Sequence, residues 1–358
     1  MDDFKLRYNR DFFEKIVNRP EINLIDETQV KNYFEGKKIL ITGAGGTIGS
    51  ALANRLAECK VEDVYFLDRD ESALHNLSLR LKNSAASHTD KCLVADIKDS
   101  NGVDEIFSEV KPNVVFHAAA LKHLIILERF SREGYLTNVV GTYNVLKASS
   151  KFGIGQFVNV STDKAANPTS FLGKTKKITE LITDGFNLLN PNMRCCSVRF
   201  GNVFASRGSV IETFLHQLKE NLPVTLTDSK VKRYFMSSNE AANLILIAAS
   251  FYSPGIYVQN MGEQVLLSEV ISRLAQYLNT KFQIQNIGLQ KGEKIKEDLY
   301  ESECEDTLNP FVKREIITWS PSTHLLLIKI FESLIDTTVK SNLDSINLVE
   351  NLLSLIAK

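Results

Sequence analysis

The sequence predicts an α/β protein with a Rossmann-type, doubly wound parallel sheet and a smaller C-terminal substrate-binding lobe. Short apolar runs typical of buried strands alternate with helical patterns from residue 38 to residue 199. The first run leads directly into a glycine-rich loop, and acidic residues end the next two. Strict alternation of strands and helices favours a parallel sheet with right-handed crossovers.

The predicted Rossmann domain covers residues 37–200, with a helix after each of its first five strands. Apolar runs predict strands at residues 38–42, 64–68, 92–96, 113–117, 156–161 and 194–199. Helical spacing predicts helices that end near residues 56, 82, 110, 151 and 189. Residues 1–36 precede this domain as an N-terminal helical extension, whose two helices could pack on the main domain or serve an oligomer contact.

After residue 200 the alternation loosens, and residues 201–320 are expected to form mainly the substrate-binding lobe. Helical patterns at residues 210–218, 240–249 and 267–278 are interspersed with strand-like runs at residues 224–227 and 255–259. We expect both runs to belong to this lobe, which would cover the carboxyl edge of the sheet. Residues 321–358 are predicted to be C-terminal helices without identifiable chemistry.

Composition excludes several classes of protein. The 358 residues carry 42 basic and 43 acidic side chains, and this balance argues against a nucleic-acid partner. The five cysteines are odd in number and lack C-x-x-C spacing, which favours a reduced, cytoplasmic protein over a disulfide-linked one. The chain has no apolar run of about 18 residues and does not begin with a signal peptide. We therefore expect no membrane insertion.

The glycine-rich loop predicts a dinucleotide site. It follows the first strand as T-G-x-x-G-x-x-G, with Gly43, Gly46 and Gly49, and with Thr47 and Ile48 between the last two glycines. Glycines allow the pyrophosphate to approach the backbone, and the helix that follows supplies amide donors. An ordinary tight turn is the alternative, but the position between a strand and a helix favours the cofactor.

Acidic and small residues at the next strand ends extend this site. Asp68 lies 19 positions after Gly49, where an acid binds the ribose hydroxyls of NAD, whereas Arg69 could pair with the 2′-phosphate of NADP. NAD is favoured because a carboxylate repels that phosphate. A solvated turn is the alternative. The other predicted cofactor contacts are Asp96, Ile97, Ala118, Ala119 and Ala120.

The fifth strand ends in the sequence Ser-Thr-Asp-Lys, residues 161–164, and Lys176 follows twelve positions after Lys164. Ligands bind beyond the carboxyl ends of parallel strands, so Asp163 and Lys164 are candidates for paired proton transfer there. The alternative is a capped turn in which Thr162 and Asp163 cap a helix and Lys164 is solvated.

Together these motifs resemble the extended short-chain dehydrogenases/reductases, and five segments resemble nucleotide-sugar 4,6-dehydratases of the polysaccharide-biosynthesis type. The resemblance covers about residues 19–299, and its five segments are AALKHLIILE, TNVVGT, STDKAANPTS, VRFGNVFASRGSVI and GLQKGEKIKEDL. It implies conversion of UDP-N-acetylglucosamine to a 4-keto-6-deoxy sugar, with a tightly bound NAD, or alternatively NADP, regenerated each cycle. It also implies a homo-oligomer. Members of that branch carry membrane helices ahead of this domain, and none is expected here.

The resemblance implies a role for each reactive residue. Lys164 would be the base at C5, Asp163 the acid that releases the C6 hydroxyl, and Thr162 a partner of the 4-hydroxyl. Lys176 matches the lysine of Tyr-x-x-x-Lys and would bind the nicotinamide ribose. Leu172 replaces the tyrosine of that motif, as in the resembled branch, where methionine is typical. We expect desolvation and the cofactor's positive ring to lower the pKa of Lys164.

The resemblance also implies substrate contacts, with arginines near the diphosphate. The predicted substrate residues are Lys122, His123, Asn202, Arg207, Ser209, Val210, Arg233 and Glu293. No metal site is predicted, since His123 has no companion ligands. A 4-epimerase of the same fold would need no acid at C6, and a non-catalytic nucleotide-binding scaffold would be compatible with Leu172. Asp163 and Lys164 favour the dehydratase.

Overall fold

The structure is a computed structural model that describes residues 8–24, 27–81, 89–251, 253–317, 328–329, 332 and 339–356. A nine-stranded sheet runs through its centre in the order β14 (Cys304–Asp306), β15 (Val312–Glu315), β11 (Gly255–Gln259), β6 (Arg194–Phe200), β5 (Gln156–Thr162), β4 (Val114–His117), β1 (Lys38–Thr42), β2 (Asp63–Asp68) and β3 (Cys92–Val94). The seven strands from β11 to β3 are parallel, whereas β15 pairs antiparallel with both β11 and β14. The Rossmann-type α/β fold predicted from the sequence is therefore confirmed.

The strands of this sheet are short and mostly buried. Three two-stranded ladders lie outside it. They pair β7 Asn202–Val203 with β10 Phe235–Met236, β9 Lys232–Arg233 with β12 Val265–Leu266, and β8 Val224–Leu226 with β13 Ile284–Asn286.

The helices alternate with the parallel strands as the sequence predicts. Their bounds are α1 Arg10–Val17, α2 Glu27–Phe34, α3 Thr47–Leu56, α4 Glu71–Leu81, α5 Ser100–Val110, α6 Leu124–Arg129, α7 Ser131–Gly134, α8 Gly141–Lys151, α9 Phe171–Leu189, α10 Val210–Lys219, α11 Ser238–Ser250, α12 Leu267–Tyr277 and α13 Asn342–Ile356. A π-helical segment, Tyr135–Val140, joins α7 to α8. Among the described residues, no helix combines the length and apolarity needed to cross a bilayer.

The placement of residues 255–259 in the smaller lobe was wrong. This run forms β11, the seventh parallel strand, which pairs with β6. All five of its residues are buried, as expected of a strand covered on both faces of a parallel sheet. The run was correctly predicted as a strand, but its pairing with β6 across residues 201–254 could not be inferred from the sequence. The predicted C-terminal helices fall largely outside the described residues, apart from α13.

The two helices of the N-terminal extension pack on different parts of the molecule. The second, α2, packs on the Rossmann domain, where Glu27 pairs with Arg55 of α3 at 2.7 Å. The first, α1, packs on the smaller lobe. Phe12 and Phe13 of α1 lie against Phe204, at ring-centroid distances of 5.4 and 5.6 Å. Beyond α1, Arg19 binds both carboxylate oxygens of Glu240 at 2.7 and 2.8 Å, at the start of α11. The extension therefore supports the segment from Phe204 onward, which leads to the cavity described below.

Candidate active site

The glycine loop lies between β1 and α3, at the carboxyl edge of the sheet. Gly43 adopts a φ of +69°, and a side chain there would place Cβ 2.6 Å from the backbone nitrogen of Ala119. A Cβ on Gly49 would lie 2.3 Å from the carbonyl oxygen of Gly43. Only glycines allow this close packing, which leaves backbone amides at the start of α3 facing the cavity. The loop therefore fits a dinucleotide pyrophosphate.

A cavity of about 130 Å³ beside the loop has the polar groups expected at the adenosine end of a dinucleotide. Its lining includes Asp68, Arg69, Asp96, Ile97 and residues 118–120. Asp68 accepts hydrogen bonds from the backbone nitrogens of Gly45 at 3.0 Å and Asp70 at 3.1 Å, so its carboxylate is held at the end of β2. The guanidinium of Arg69 lies 3.9 Å from Asp96.

A buried histidine fixes the segment that follows β4. His117 makes hydrogen bonds at 2.8 Å to the hydroxyl of Thr42 and at 2.9 Å to that of Thr142. Thr142 also donates to the carbonyl of Asn138, so it accepts from Nε2 of His117, and Thr42 donates to Nδ1. Burial and the nearby charge of Lys176 lower the pKa of His117 to about 3, which keeps the ring neutral. This tautomer ties β1, β4 and α8 together beneath the site.

Asn138 completes this support from the π-helical segment. Its side chain accepts from the backbone nitrogen of Leu121 at 2.8 Å and donates to the carbonyl oxygen of the same residue at 3.0 Å. It also donates to the hydroxyl of Thr175 at 3.2 Å. Inserted π-helical turns frequently lie at functional sites. Here the turn directs one amide at the backbone of residues 118–121, which lines both cavities.

A second cavity, of about 680 Å³, lies at the end of β5; the base candidate lines it and the acid candidate lies behind its wall. Thr162, Lys164, Leu172 and Lys176 line it. Asp163 is fully buried beneath them, and its Oδ1 accepts from the Thr162 hydroxyl at 2.9 Å and from Nζ of Lys164 at 3.0 Å. Among the described residues, Oδ2 of Asp163 has no hydrogen-bond partner. One carboxylate oxygen is therefore bound to the lysine and the other is unpaired.

The expected decrease in the pKa of Lys164 is wrong for this chain without its ligands. Burial lowers this pKa, but the carboxylates of Asp163 and Glu297 more than compensate and raise it. Nζ lies 3.0 Å from Asp163, 3.5 Å from Glu297 and 3.2 Å from the side-chain oxygen of Asn202. Without its ligands the amine is therefore held as an ammonium, since two anions outweigh the loss of solvent.

Lys176 shows the opposite behaviour. It lies in the second turn of α9, which begins at Phe171, and only 4% of its surface is exposed. Burial lowers the pKa of Lys176 to about 8, although Glu180 acts to raise it. Glu180 forms an ion pair with the guanidinium of Arg199 at 2.8 Å. Its negative charge therefore mainly neutralises Arg199 and only weakly stabilises the charged form of Lys176. Lys176 is therefore a buried residue of the cavity wall rather than a solvated one.

Six of the predicted substrate residues line the larger cavity, and two do not. Lining residues among them are Lys122, His123, Asn202, Arg207, Ser209 and Val210. Arg207 reaches toward the glycine loop, where its backbone nitrogen donates to Thr47 at 3.2 Å and its guanidinium lies 3.4 Å from Asp70. The other two, Arg233 and Glu293, form an ion pair at 3.0 Å, and neither is among the described residues that line this cavity.

Sequence reasoning missed Glu297, which the structure places beside Lys164. It belongs to the segment GLQKGEKIKEDL, from which we selected only the first glutamate, Glu293. A second acid four residues later in the same segment was a signal that could have identified it. Its burial could not be inferred, because the contact depends on Gln264, whose side chain holds the backbone of Glu297 at 3.0 and 2.9 Å.

A family model described as polysaccharide biosynthesis protein matches residues 39–317. The chain belongs to this family. It is 33% identical over 291 residues to the capsular polysaccharide biosynthesis protein CapD of Staphylococcus aureus, covering 80% of this chain and 48% of that protein. It is 32% identical over 278 residues to a UDP-glucose 4-epimerase of Rickettsia bellii, covering 75% of this chain and 79% of that protein.

Among solved structures, the X-ray structure of Pen from Bacillus thuringiensis superposes with a TM-score of 0.73. Pen is 29% identical in sequence to this chain, and the superposition covers 80% of this chain and 90% of Pen. The chain spans about half the length of CapD, a curated relative it matches. The shared part is therefore the Rossmann domain with its smaller lobe.

Proposed function

We propose that the chain is an NAD-dependent nucleotide-sugar 4,6-dehydratase that acts on UDP-N-acetylglucosamine. The observation that carries this proposal is the hydrogen-bonded pair of Asp163 and Lys164, 3.0 Å apart at the end of β5. It adjoins a cavity that also contacts the glycine loop. A reaction that removes a proton from one carbon and water from the next needs a base and an acid side by side.

The cofactor would lie along the glycine loop, with its adenosine ribose near Asp68 and its nicotinamide ribose at Lys176. When bound, it would supply an acceptor for the C4 hydride and return that hydride to C6. NAD is favoured over NADP because the carboxylate of Asp68, held by two backbone amides, repels a 2′-phosphate. Lys176 would hold the ribose hydroxyls.

Lys164 would release its Nζ proton to solvent when the positively charged ring of the cofactor lies beside it. As C4 is oxidised, the 4-hydroxyl proton would pass through Thr162 to the carboxylate of Asp163, which leaves a carboxylic acid beside a neutral amine. Lys164 then takes the C5 proton, and Asp163 gives its proton to the C6 hydroxyl, which departs as water. The proton that leaves with water is thus the one released from the 4-hydroxyl. Lys164 then returns its proton to C5.

Thr162 is the side chain nearest this pair that can contact the 4-hydroxyl. Its own hydroxyl is bound to Asp163 at 2.9 Å, so a proton leaving O4 has a short path to that carboxylate. Leu172 stands where ordinary short-chain dehydrogenases carry tyrosine, and it lines the cavity without an ionisable group. Proton transfer from O4 is therefore assigned to Thr162 and Asp163.

A 4-epimerase is the second candidate, because relatives with that name are 32% identical to this chain. Such an enzyme would oxidise C4 and return the hydride to the opposite face, with no use for an acid at C6. A non-catalytic scaffold would bind the nucleotide and release it unchanged. We also propose a cytoplasmic homo-oligomer, of which sedimentation velocity would measure the size.

Incubation of the purified chain with NAD and UDP-N-acetylglucosamine, followed by mass spectrometry and NMR, separates these candidates. The dehydratase yields a sugar lighter by one water, with a C4 ketone and a C6 methyl group. An unchanged mass with inverted C4 would establish the epimerase. No change with this substrate or a panel of other UDP and dTDP sugars would support the scaffold.

A further inference from the structure

Glu297 is a second buried carboxylate on the cavity lysine. Its side chain is 2% exposed, and its Oε1 lies 3.5 Å from Nζ of Lys164. Within the part of the chain that the structure describes, its Oε2 has no hydrogen-bond partner. A buried carboxylate with an unpaired oxygen is costly to a fold. Its position beside Lys164 therefore requires a reason other than stability.

Neutralising Arg233 does not supply that reason. Nε of Arg233 lies 3.9 Å from Glu297, beyond hydrogen-bond distance. Its guanidinium binds Glu293 at 3.0 Å and the carbonyl oxygen of Lys294 at 2.9 Å. Arg233 thus has a closer anionic partner, whereas Lys164 is the nearest cation to Glu297.

The proposed dehydration contains one stage at which a second anion is needed, and the inference rests on that proposed function. When the C5–H bond breaks, its proton goes to Nζ of Lys164 and its electron pair enters the enolate formed with the C4 ketone. Asp163 is still a neutral acid at this stage, because its proton leaves only when the C6–O bond breaks. The new ammonium then faces a single carboxylate, that of Glu297.

We propose that Glu297 is a positioning residue, which holds the amine of Lys164 and balances its charge while Asp163 carries the proton for the leaving hydroxyl. Three charged groups face this amine, namely Asp163 on its own segment, Glu297, and Arg233 of β9. Asn202 of β7 fixes its direction at 3.2 Å. Loss of the Glu297 charge should therefore favour the neutral amine in the resting chain.

The pKa of Lys164 can be measured without substrate, by labelling amines competitively with acetic anhydride across pH and quantifying each peptide by mass spectrometry. We expect Glu297→Gln to lower the pKa of Lys164 by about 1 to 3 units, the usual effect of a neighbouring opposite charge. Asp298→Asn is the matched control, because it removes a carboxylate that pairs with Lys294 instead. Identical labelling profiles in the parent and in folded Glu297→Gln would overturn the proposal.

A kinetic measurement tests the stage at which Glu297 acts. With NAD and UDP-N-acetylglucosamine, Glu297→Gln should slow C5 exchange with heavy water at least about 10-fold relative to oxidation at C4, whereas Asp298→Asn should leave their ratio unchanged. A loss of C4 oxidation alone would contradict the role. If the parent dehydrates no sugar but the labelling shift appears, the proposed function fails and the charge balance at Lys164 stands.

Glu297→Asp keeps the test decisive if the glutamine variant does not fold. It retains a carboxylate but withdraws it by one methylene, and the backbone clamp from Gln264 does not depend on the side chain. We expect a smaller fall in the pKa of Lys164 and a partial slowing of C5 exchange. An aspartate variant with the parent's labelling profile and exchange rate would overturn the proposal.

Discussion

Replacing Lys176 with methionine should stabilise the chain without ligands while removing its ribose contact. The folded chain releases the Lys176 proton at a pKa of about 8, and the unfolded chain at 10.5. Each pKa unit corresponds to about 1.4 kcal/mol, so the buried charge costs the folded state about 3 kcal/mol. Methionine has a similar length and no charge, and it would remove this cost.

The sign of the pH dependence follows from proton binding. Between pH 8 and 10.5 the unfolded chain holds a proton on Lys176 that the folded chain has lost, so the free energy of unfolding rises with pH across that window. At pH 7 both states are protonated and the full cost is present. Lys176→Met should therefore exceed the parent by about 3 kcal/mol at pH 7, and by progressively less toward pH 10.5.

Urea unfolding followed by circular dichroism at pH 7, 8, 9 and 10 measures this difference. When parent and variant are compared at each pH, the titratable groups that both chains share contribute equally to the two free energies of unfolding and cancel in the difference. Lys174→Met is the control, since its amine pairs with Glu350 at the surface, and we expect a change of about 0.5 kcal/mol or less. A Lys176→Met chain that is less stable than the parent at pH 7 would refute the reasoning.

Three further predictions concern the site and its support. Asp163→Asn should lower dehydration by about 100-fold to 10,000-fold and also slow C4 oxidation, because the same carboxylate takes the 4-hydroxyl proton and supplies the C6 acid; a dehydration rate equal to the parent's, measured by mass spectrometry, would contradict its role. Gly49→Ala should cost about 1 to 3 kcal/mol and abolish NAD binding in calorimetry, because its Cβ would lie 2.3 Å from the Gly43 carbonyl oxygen. Arg19→Ala should cost about 3 kcal/mol, because the fully buried Glu240 would lose its ion-pair partner, and an unchanged urea midpoint would count against that pairing.

The parallel core of the fold could be predicted because its signals are local. Each of the six predicted strands is an apolar run, a helix follows each of the first five, and the glycine loop directly after β1 identifies the first strand of the domain. The seventh strand could not be assigned to the sheet, because residues 201–254 separate β11 from its partner β6. The sequence does not show which strands pair over so long a separation. The antiparallel strand β15 could not be recognised for a different reason. Only two of its four residues, Val312–Glu315, are buried, so its sequence lacks the apolar run that marks the parallel strands.

The candidate site was predictable where adjacent residues form it. Asp163 and Lys164 are neighbours in sequence, so their contact follows from the end of one strand. The contact with Glu297 joins positions more than a hundred residues apart and depends on the side chain of Gln264. The pKa of Lys164 could not be anticipated for the same reason, because the second carboxylate that raises it arrives from that distant segment.

The measurement that tests the central claim most directly is the reaction of the chain with UDP-N-acetylglucosamine in heavy water. If Lys164 removes and returns the C5 proton while Asp163 expels the C6 hydroxyl, the product is lighter by one water and carries deuterium at C5. Lys164→Met should give neither change while it still binds NAD. A C4 epimer of unchanged mass, or a dehydrated sugar whose C5 carries no deuterium, would contradict the account.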